Sequence, residues 1–226
     1  MLIKDSTRPY FASYYRWLVA SQRLGVDLTA CRVLDVGTDD ATFLRRSSAA
    51  LRVGVDLAPR ARSHDAIEII RADARALPVL DGSFDCVLAF DVLEHIEDDR
   101  SVMREMLRVL SPHGTLWFST PARDTIFWPR LMHPYANRVF GHVRNGYTVD
   151  QLISLIPDKE NWHIDMFFWN EPLLRTTFGA LHVLDRLIPL VADVCTRQCY
   201  RFDQQYADGE RGHIFGYIRR RLDVCG

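Results

Sequence analysis

From Cys31 onward, short β-branched apolar runs alternate with stretches of helical spacing, the pattern of a parallel sheet flanked by helices. Seven runs read as strands: Arg32–Val36, Arg52–Leu57, Glu68–Arg71, Phe84–Phe90, Thr115–Ser119, His163–Trp169 and Gly212–Arg219. Between them, Ala41–Leu51 and Ser101–Leu110 carry helical spacing, the second with Val102, Met106, Val109 and Leu110 on one face. Ser111, Pro112, His113 and Gly114 then form a turn signal before the next strand. Thr148 with Gln151 makes a capping box that opens a helix carrying Leu152, Ile153, Leu155 and Ile156, and Pro157 closes it. The pattern predicts an α/β chain with one sheet.

Three segments fall outside the alternation: the aromatic stretch Tyr10–Leu24, the loop-rich stretch Ala122–Tyr147 and the apolar helical stretch Glu171–Tyr200. Such additions commonly lie above the carboxyl ends of the strands, where ligands bind. At 226 residues, 48% of them hydrophobic, the chain is long enough for one sizeable core and short for two domains. Residues 1–226 are therefore read as a single domain: a helical cap (1–30), a core (31–121), a lid-like insertion (122–147) and a helical insertion (171–200) before the last strand.

Charge and cysteine usage narrow the partners. A formal net charge of −1 offers no general attraction to nucleic acid or to an anionic membrane. The five cysteines sit mostly in or beside apolar runs and read as buried thiols of a reducing compartment. Cys195 and Cys199 share a helix face, but no second pair at zinc spacing accompanies them, so no metal is assigned. The N-terminal stretch has no signal-peptide core, and no apolar run approaches the roughly 18 residues of a membrane span. A cytoplasmic location is expected.

Three acids fall at three successive strand tips. The first strand ends Val33-Leu34-Asp35-Val36-Gly37, and a carboxylate there would repel the pyrophosphate of a dinucleotide but suits a ligand with an ammonium group. The second ends Val53-Gly54-Val55-Asp56-Leu57, where an acid accepts from both hydroxyls of a ribose. Asp73 follows in Arg71-Ala72-Asp73-Ala74, placed to accept from an exocyclic amine.

With the fourth run, Phe84-Asp85-Cys86-Val87-Leu88-Ala89-Phe90-Asp91-Val92-Leu93-Glu94-His95, the chain resembles the class I S-adenosylmethionine-dependent methyltransferases, specifically the small-molecule (type 11-like) group. Leu107 to Thr115 resembles that family's approach to strand five. The resemblance implies a Rossmann-like, seven-stranded, mostly parallel sheet with helices on both faces and an antiparallel last strand. It implies that Asp35, Gly37, Thr38 and Asp39 line the methionine end of S-adenosyl-L-methionine, Asp56 and Leu57 the ribose, and Asp73 with Ala74 the adenine, with Phe90 and Asp91 closing the pocket. Asp39 and Ala41 stand where the family usually has glycine. Asp39 is expected to cap the following helix.

The resemblance implies methyl transfer to oxygen or nitrogen, in preference to carbon, of a small-molecule or lipid-like acceptor. A non-catalytic binding or scaffold protein on the same fold is the alternative. His95 is the candidate catalytic base, its other reading being a turn cap. Asp91, Glu94 and His95 also resemble an acidic motif that binds a divalent cation in ubiquinone-type O-methyltransferases, a cluster too short to assign a metal. Acceptor contacts are expected from Tyr14, Trp128, His142 and Tyr147; helix packing suits Tyr14 and Tyr147 as well. Leu184, Leu187, Ile188, Val191 and Cys195 form a stripe, broken by Pro189, read as core or subunit packing with a homodimer surface within 173–195; a membrane-leaning or lipid-substrate surface is the alternative, and Arg186 and Asp193 exclude a span.

Overall fold

The computed structural model describes residues 10–24, 28–64, 66–123, 125, 141–206 and 212–221. Most of the stretch read as a lid, including Trp128, lies outside them.

The order is α1 (Phe11–Leu24), β1 (Arg32–Val36), α2 (Thr42–Arg46), β2 (Leu51–Asp56), β3 (Ile67–Arg71), β4 (Phe84–Phe90), α3 (Asp99–Arg108), β5 (Leu110–Pro121), α4 (Val149–Leu155), β6 (Trp162–Trp169), α5 (Pro172–Leu187), α6 (Pro189–Asp203) and β7 (His213–Arg220). The strands form one sheet in the order β3-β2-β1-β4-β5-β7-β6. β1 to β5 pair in parallel, and β7 runs antiparallel to both of its neighbours. The chain winds outward from β1 in one direction and from β4 in the other. That reversal leaves a crevice above the carboxyl ends of β1 and β4.

Alternation along each buried strand splits the core in two. Val87 and Ala89 of β4 face α3 and α4 through Val102, Met106 and Leu152. Cys86, Leu88 and Phe90 face α1, α5 and α6 through Phe11, Tyr15, Leu181 and Cys199. The capping box forms as the sequence predicts, with the Thr148 hydroxyl and the Gln151 side chain each serving the other's backbone N–H.

Four expectations change. The helix read over Ala41–Leu51 lasts only from Thr42 to Arg46, because Ser47 turns extended and Leu51 joins β2. The Ser111–Gly114 turn is absorbed into β5 as a register shift opposite Phe84 and Cys86. The core reading of the stripe from Leu184 to Cys195 does not hold. Leu187, Ile188 and Val191 are exposed, and the inward positions belong instead to Leu174, Leu181, Ala192, Thr196 and Cys199. Asp39 does not cap α2; Asp40 accepts from the Thr42 backbone at 2.9 Å and its hydroxyl at 2.6 Å.

Among the described residues no helix is long and apolar enough to cross a membrane. A buried polar chain ties α1 to the rest: the Trp169 indole donates to the Tyr15 hydroxyl at 3.0 Å, which donates to Asp203 at 2.7 Å. Burial raises the Tyr15 phenol above its ordinary range, so it stays a donor. Tyr15→Phe strands the indole N–H and removes one bond from a buried carboxylate, and is expected to lower the unfolding free energy by about 1–3 kcal/mol in denaturant titration. An unchanged midpoint would show that the chain of bonds adds nothing to stability.

Candidate functional site

The crevice over β1 and β4 has a volume of about 770 Å³, within the usual range for small-molecule sites. Its first wall is the turn after β1. Gly37 adopts φ +73°, and a Cβ there would come within 2.6 Å of Val92, so only glycine fits. The Gly37 and Thr38 backbones both donate to the Val55 carbonyl, at 2.8 and 3.2 Å, fixing the turn against β2. Asp39 (φ 38°) and Ala41 (φ 56°) hold the left-handed conformations that glycine would take without strain. The structure offsets this locally. The Asp39 N–H donates to Asp56 at 3.1 Å and its carboxylate pairs with Arg60, whose Nε lies 2.6 Å away. Asp40 also accepts from the Tyr10 backbone at 2.7 Å, drawing the start of α1 to the crevice.

Asp35 lies at the crevice floor, buried, with the Thr38 hydroxyl donating to it at 2.9 Å. Burial pushes its carboxyl up to about 8; the Thr38 bond opposes this, and the neighbouring Asp40, Asp56 and Asp39 add to it. Asp56 accepts from the backbones of Asp39 and Ala58, which leaves lone pairs on both oxygens toward the crevice it lines. Leu57, Asp73, Ala74 and Phe90 line it too, with Phe90 stacked on Phe43 at 4.3 Å. Asp73 forks to Arg75 at the rim, at distances down to 2.6 Å.

The second wall comes from β4, α1, α5 and β7. Asp91, at φ 55°, accepts from Arg16 at 2.9 Å and from Ser119 at 2.6 Å. The buried Arg16 also reaches Glu171 at 2.7 Å and His213 at 2.7 Å, and His213 meets Glu171 at 2.6 Å. Burial alone would raise Glu171 and lower His213. The opposite charges win, holding Glu171 at about 2 and lifting His213 to about 9, while Arg16 and His213 keep Asp91 well below the carboxylate range. Two cations thus face two anions in one enclosed cluster.

Glu94 is buried beside it. Its Oε2 accepts from Thr120 at 3.1 Å and its Oε1 has no partner among the described residues. Burial, then the Asp91 charge, pushes it up to about 8. His95 is exposed at the rim, edge-on to His142 at 4.8 Å, and ligand atoms of Glu94, His95 and His142 lie within 4.8 Å of one another.

All ten residues expected around the cofactor line the crevice, Asp91 while also engaged by Arg16 and Ser119. His95 and His142 line the crevice. Tyr147 does not: it is buried beneath, its hydroxyl 2.8 Å from Asp99 and 3.0 Å from the Leu93 carbonyl, accepting from Arg144. Tyr14 is buried as well, stacked on Trp17 under the guanidinium groups of Arg46 and Arg197. Both are packing residues in this structure. Sequence reasoning missed Arg16, Glu171 and His213, because lone charges in an aromatic helix, before a proline and at a strand start read as solvated.

Sheet order and crevice together define the fold of the class I S-adenosylmethionine-dependent methyltransferases. Residues 34–118 match the family model described as methyltransferase domain. A ubiquinone biosynthesis O-methyltransferase of Xanthomonas oryzae pv. oryzae is 37% identical over 108 residues, covering 42% of this chain and 45% of the relative. A protein named "probable S-adenosylmethionine-dependent methyltransferase" from Mycobacterium tuberculosis is 34% identical over 154 residues, 64% of this chain and 54% of its own. The chain thus spans about half the length of these relatives. The solved S-adenosylmethionine-dependent methyltransferase from Mesorhizobium loti superposes with a TM-score of 0.61 at 19% identity, over 93% of this chain and all of that one.

Removing the cation at the centre of the second wall leaves Asp91 and Glu171 with one fewer partner each. Arg16→Met is expected to cost about 3–5 kcal/mol of unfolding free energy in denaturant titration, the range for breaking a buried ion pair. A loss below about 1 kcal/mol would mean the cluster is not what holds the wall.

Proposed function

We propose that the chain is an S-adenosylmethionine-dependent methyltransferase acting on oxygen or nitrogen of a small-molecule or lipid-like acceptor. The observation that carries this is the joint placement of Asp35, Gly37 and Asp56 on one crevice wall. A buried carboxyl with a raised pKa suits a ligand that brings its own positive charge. Gly37 leaves the backbone open to close approach, and Asp56 keeps free lone pairs for a ribose.

The residues present fit this cofactor: Asp35 with Thr38 would hold its amino-acid end, Asp56 and Leu57 its ribose, and Asp73 with Ala74 its adenine. When bound, it supplies an already activated methyl group. The remaining task for the chain is to align the acceptor and exclude water. Phe43, Phe90, Phe178 and Pro121 give the acceptor side an apolar lining, which suits an acceptor with a hydrophobic body. His95 and His142 stand at the rim, where either ring takes the proton from a hydroxyl or ammonium group. The O-methyltransferase name of one relative favours oxygen. A binding protein without turnover remains the second reading, favoured by the strained Asp39 and Ala41 in the turn.

Two titrations test the assignment. Asp56→Ala is expected to weaken S-adenosylmethionine binding by about 1.5–3 kcal/mol, the value of hydrogen bonds to a charged group. Unchanged affinity removes Asp56 from the site. Because Asp35 is neutral below about 8, a cationic ligand draws a proton off it on binding. Affinity is expected to rise between neutral pH and about 8, with proton release in calorimetry that Asp35→Asn abolishes. A flat profile, or one unaltered by that substitution, would place the cofactor elsewhere.

A further inference from the structure

The hairpin of α5 and α6 buries one side of each helix and leaves the other side apolar. Leu181 of α5 and Ala192, Thr196 and Cys199 of α6 point inward. On the outer side, at the hairpin's end, Val183, Leu187, Ile188, Leu190, Val191 and Val194 are exposed, Leu190 to 79% and Leu187 to 70%. A helix on the surface of a globular protein carries polar residues there, and exposed apolar residues grouped in this way mark an interaction surface.

The surrounding charge selects the partner. Leu190, Val194, Arg197 and Arg201 follow at helical spacing, so one line along α6 passes from apolar to basic. Arg186 adjoins Leu187 on α5. All three arginines are exposed, whereas Asp185 and Asp203 are buried and Asp193 is half-buried. Arg46, stacked over Tyr14 and Trp17 at 4.6 and 4.7 Å, extends the basic border from the side of α2. This excess is local, since the whole chain carries a formal charge of −1. A basic border disfavours a second copy related by a two-fold axis, which would bring like charges together. It attracts anionic headgroups.

We propose that the exposed end of the α5–α6 hairpin docks on an anionic lipid bilayer, with the apolar side chains entering the headgroup boundary and the arginines meeting lipid phosphates. Such a surface lies on the membrane rather than across it. The same hairpin walls the crevice: Phe178 of α5 lines it, and His182 is 2.9 Å from the hydroxyl of Tyr10, which also lines it. Docking therefore brings the acceptor side of the crevice close to the lipid. That last consequence rests on the methyltransferase reading; the docking surface does not.

The test is co-sedimentation of the full chain with vesicles of phosphatidylglycerol and, separately, of phosphatidylcholine. The chain is expected to partition onto phosphatidylglycerol and much less onto phosphatidylcholine, with binding that falls as salt rises. Leu187→Glu with Leu190→Glu, and separately Arg186→Glu with Arg201→Glu, are expected to weaken the partition about tenfold or more, leaving the thermal melt and S-adenosylmethionine titration unchanged. Absence of binding to phosphatidylglycerol, or double variants that bind as well as the unsubstituted chain, overturns the proposal. So does a dimer in light scattering that the leucine variant dissolves in a chain that ignores vesicles, since a second copy would then be the occupant. Failure of the cofactor titration alone would leave vesicle binding intact and strike only the proposed function.

Discussion

Arg16 makes the second wall of the crevice possible. Its guanidinium joins α1 to the tip of β4 through Asp91 and to the start of α5 through Glu171, and the same two carboxylates hold His213 at the start of β7. Burying one cation would be prohibitive. Burying two with two carboxylates makes a neutral group whose members satisfy one another, and the pKa directions agree, with the acids held down and the histidine held up. Each element that meets at Arg16 also supplies apolar contacts to the same core, so the polar cluster sets their alignment while hydrophobic burial supplies most of the driving force.

The first wall works by the opposite logic. Asp35 is buried near Asp39, Asp40 and Asp56, and is pushed up to about 8. Strain adds to this in the same turn, where Asp39 and Ala41 have positive φ. Unfavourable backbone and unfavourable charge concentrated in one place are what a ligand site looks like when the missing partner is cationic. One wall is self-sufficient; the other is completed by what binds there.

Much of this was legible in the sequence, for reasons that show where legibility stops. The strands were readable because each buried run is short, β-branched and bounded by turn residues, and Phe84–Phe90 is found as read. The acids at the tips of β1, β2 and β3 were readable because topology puts strand ends in the crevice. Position along the chain says nothing of what a side chain meets across 155 residues, the separation of Arg16 from Glu171. The same blindness left Tyr147 open between acceptor contact and packing; its hydroxyl points down to Asp99. In the α5–α6 hairpin the apolar residues and the break at Pro189 were seen, but spacing alone did not decide which of them the core covers.

The central claim is that the strained wall accepts a cationic adenosyl ligand although Asp39 and Ala41 replace the glycines of related turns. It is tested most directly by calorimetric titration of the whole chain with S-adenosylmethionine, its demethylated product and a nicotinamide dinucleotide. Saturable binding of the first two and none of the third is the result this structure predicts. Binding of neither adenosyl compound would contradict it and leave the fold as a scaffold without its cofactor.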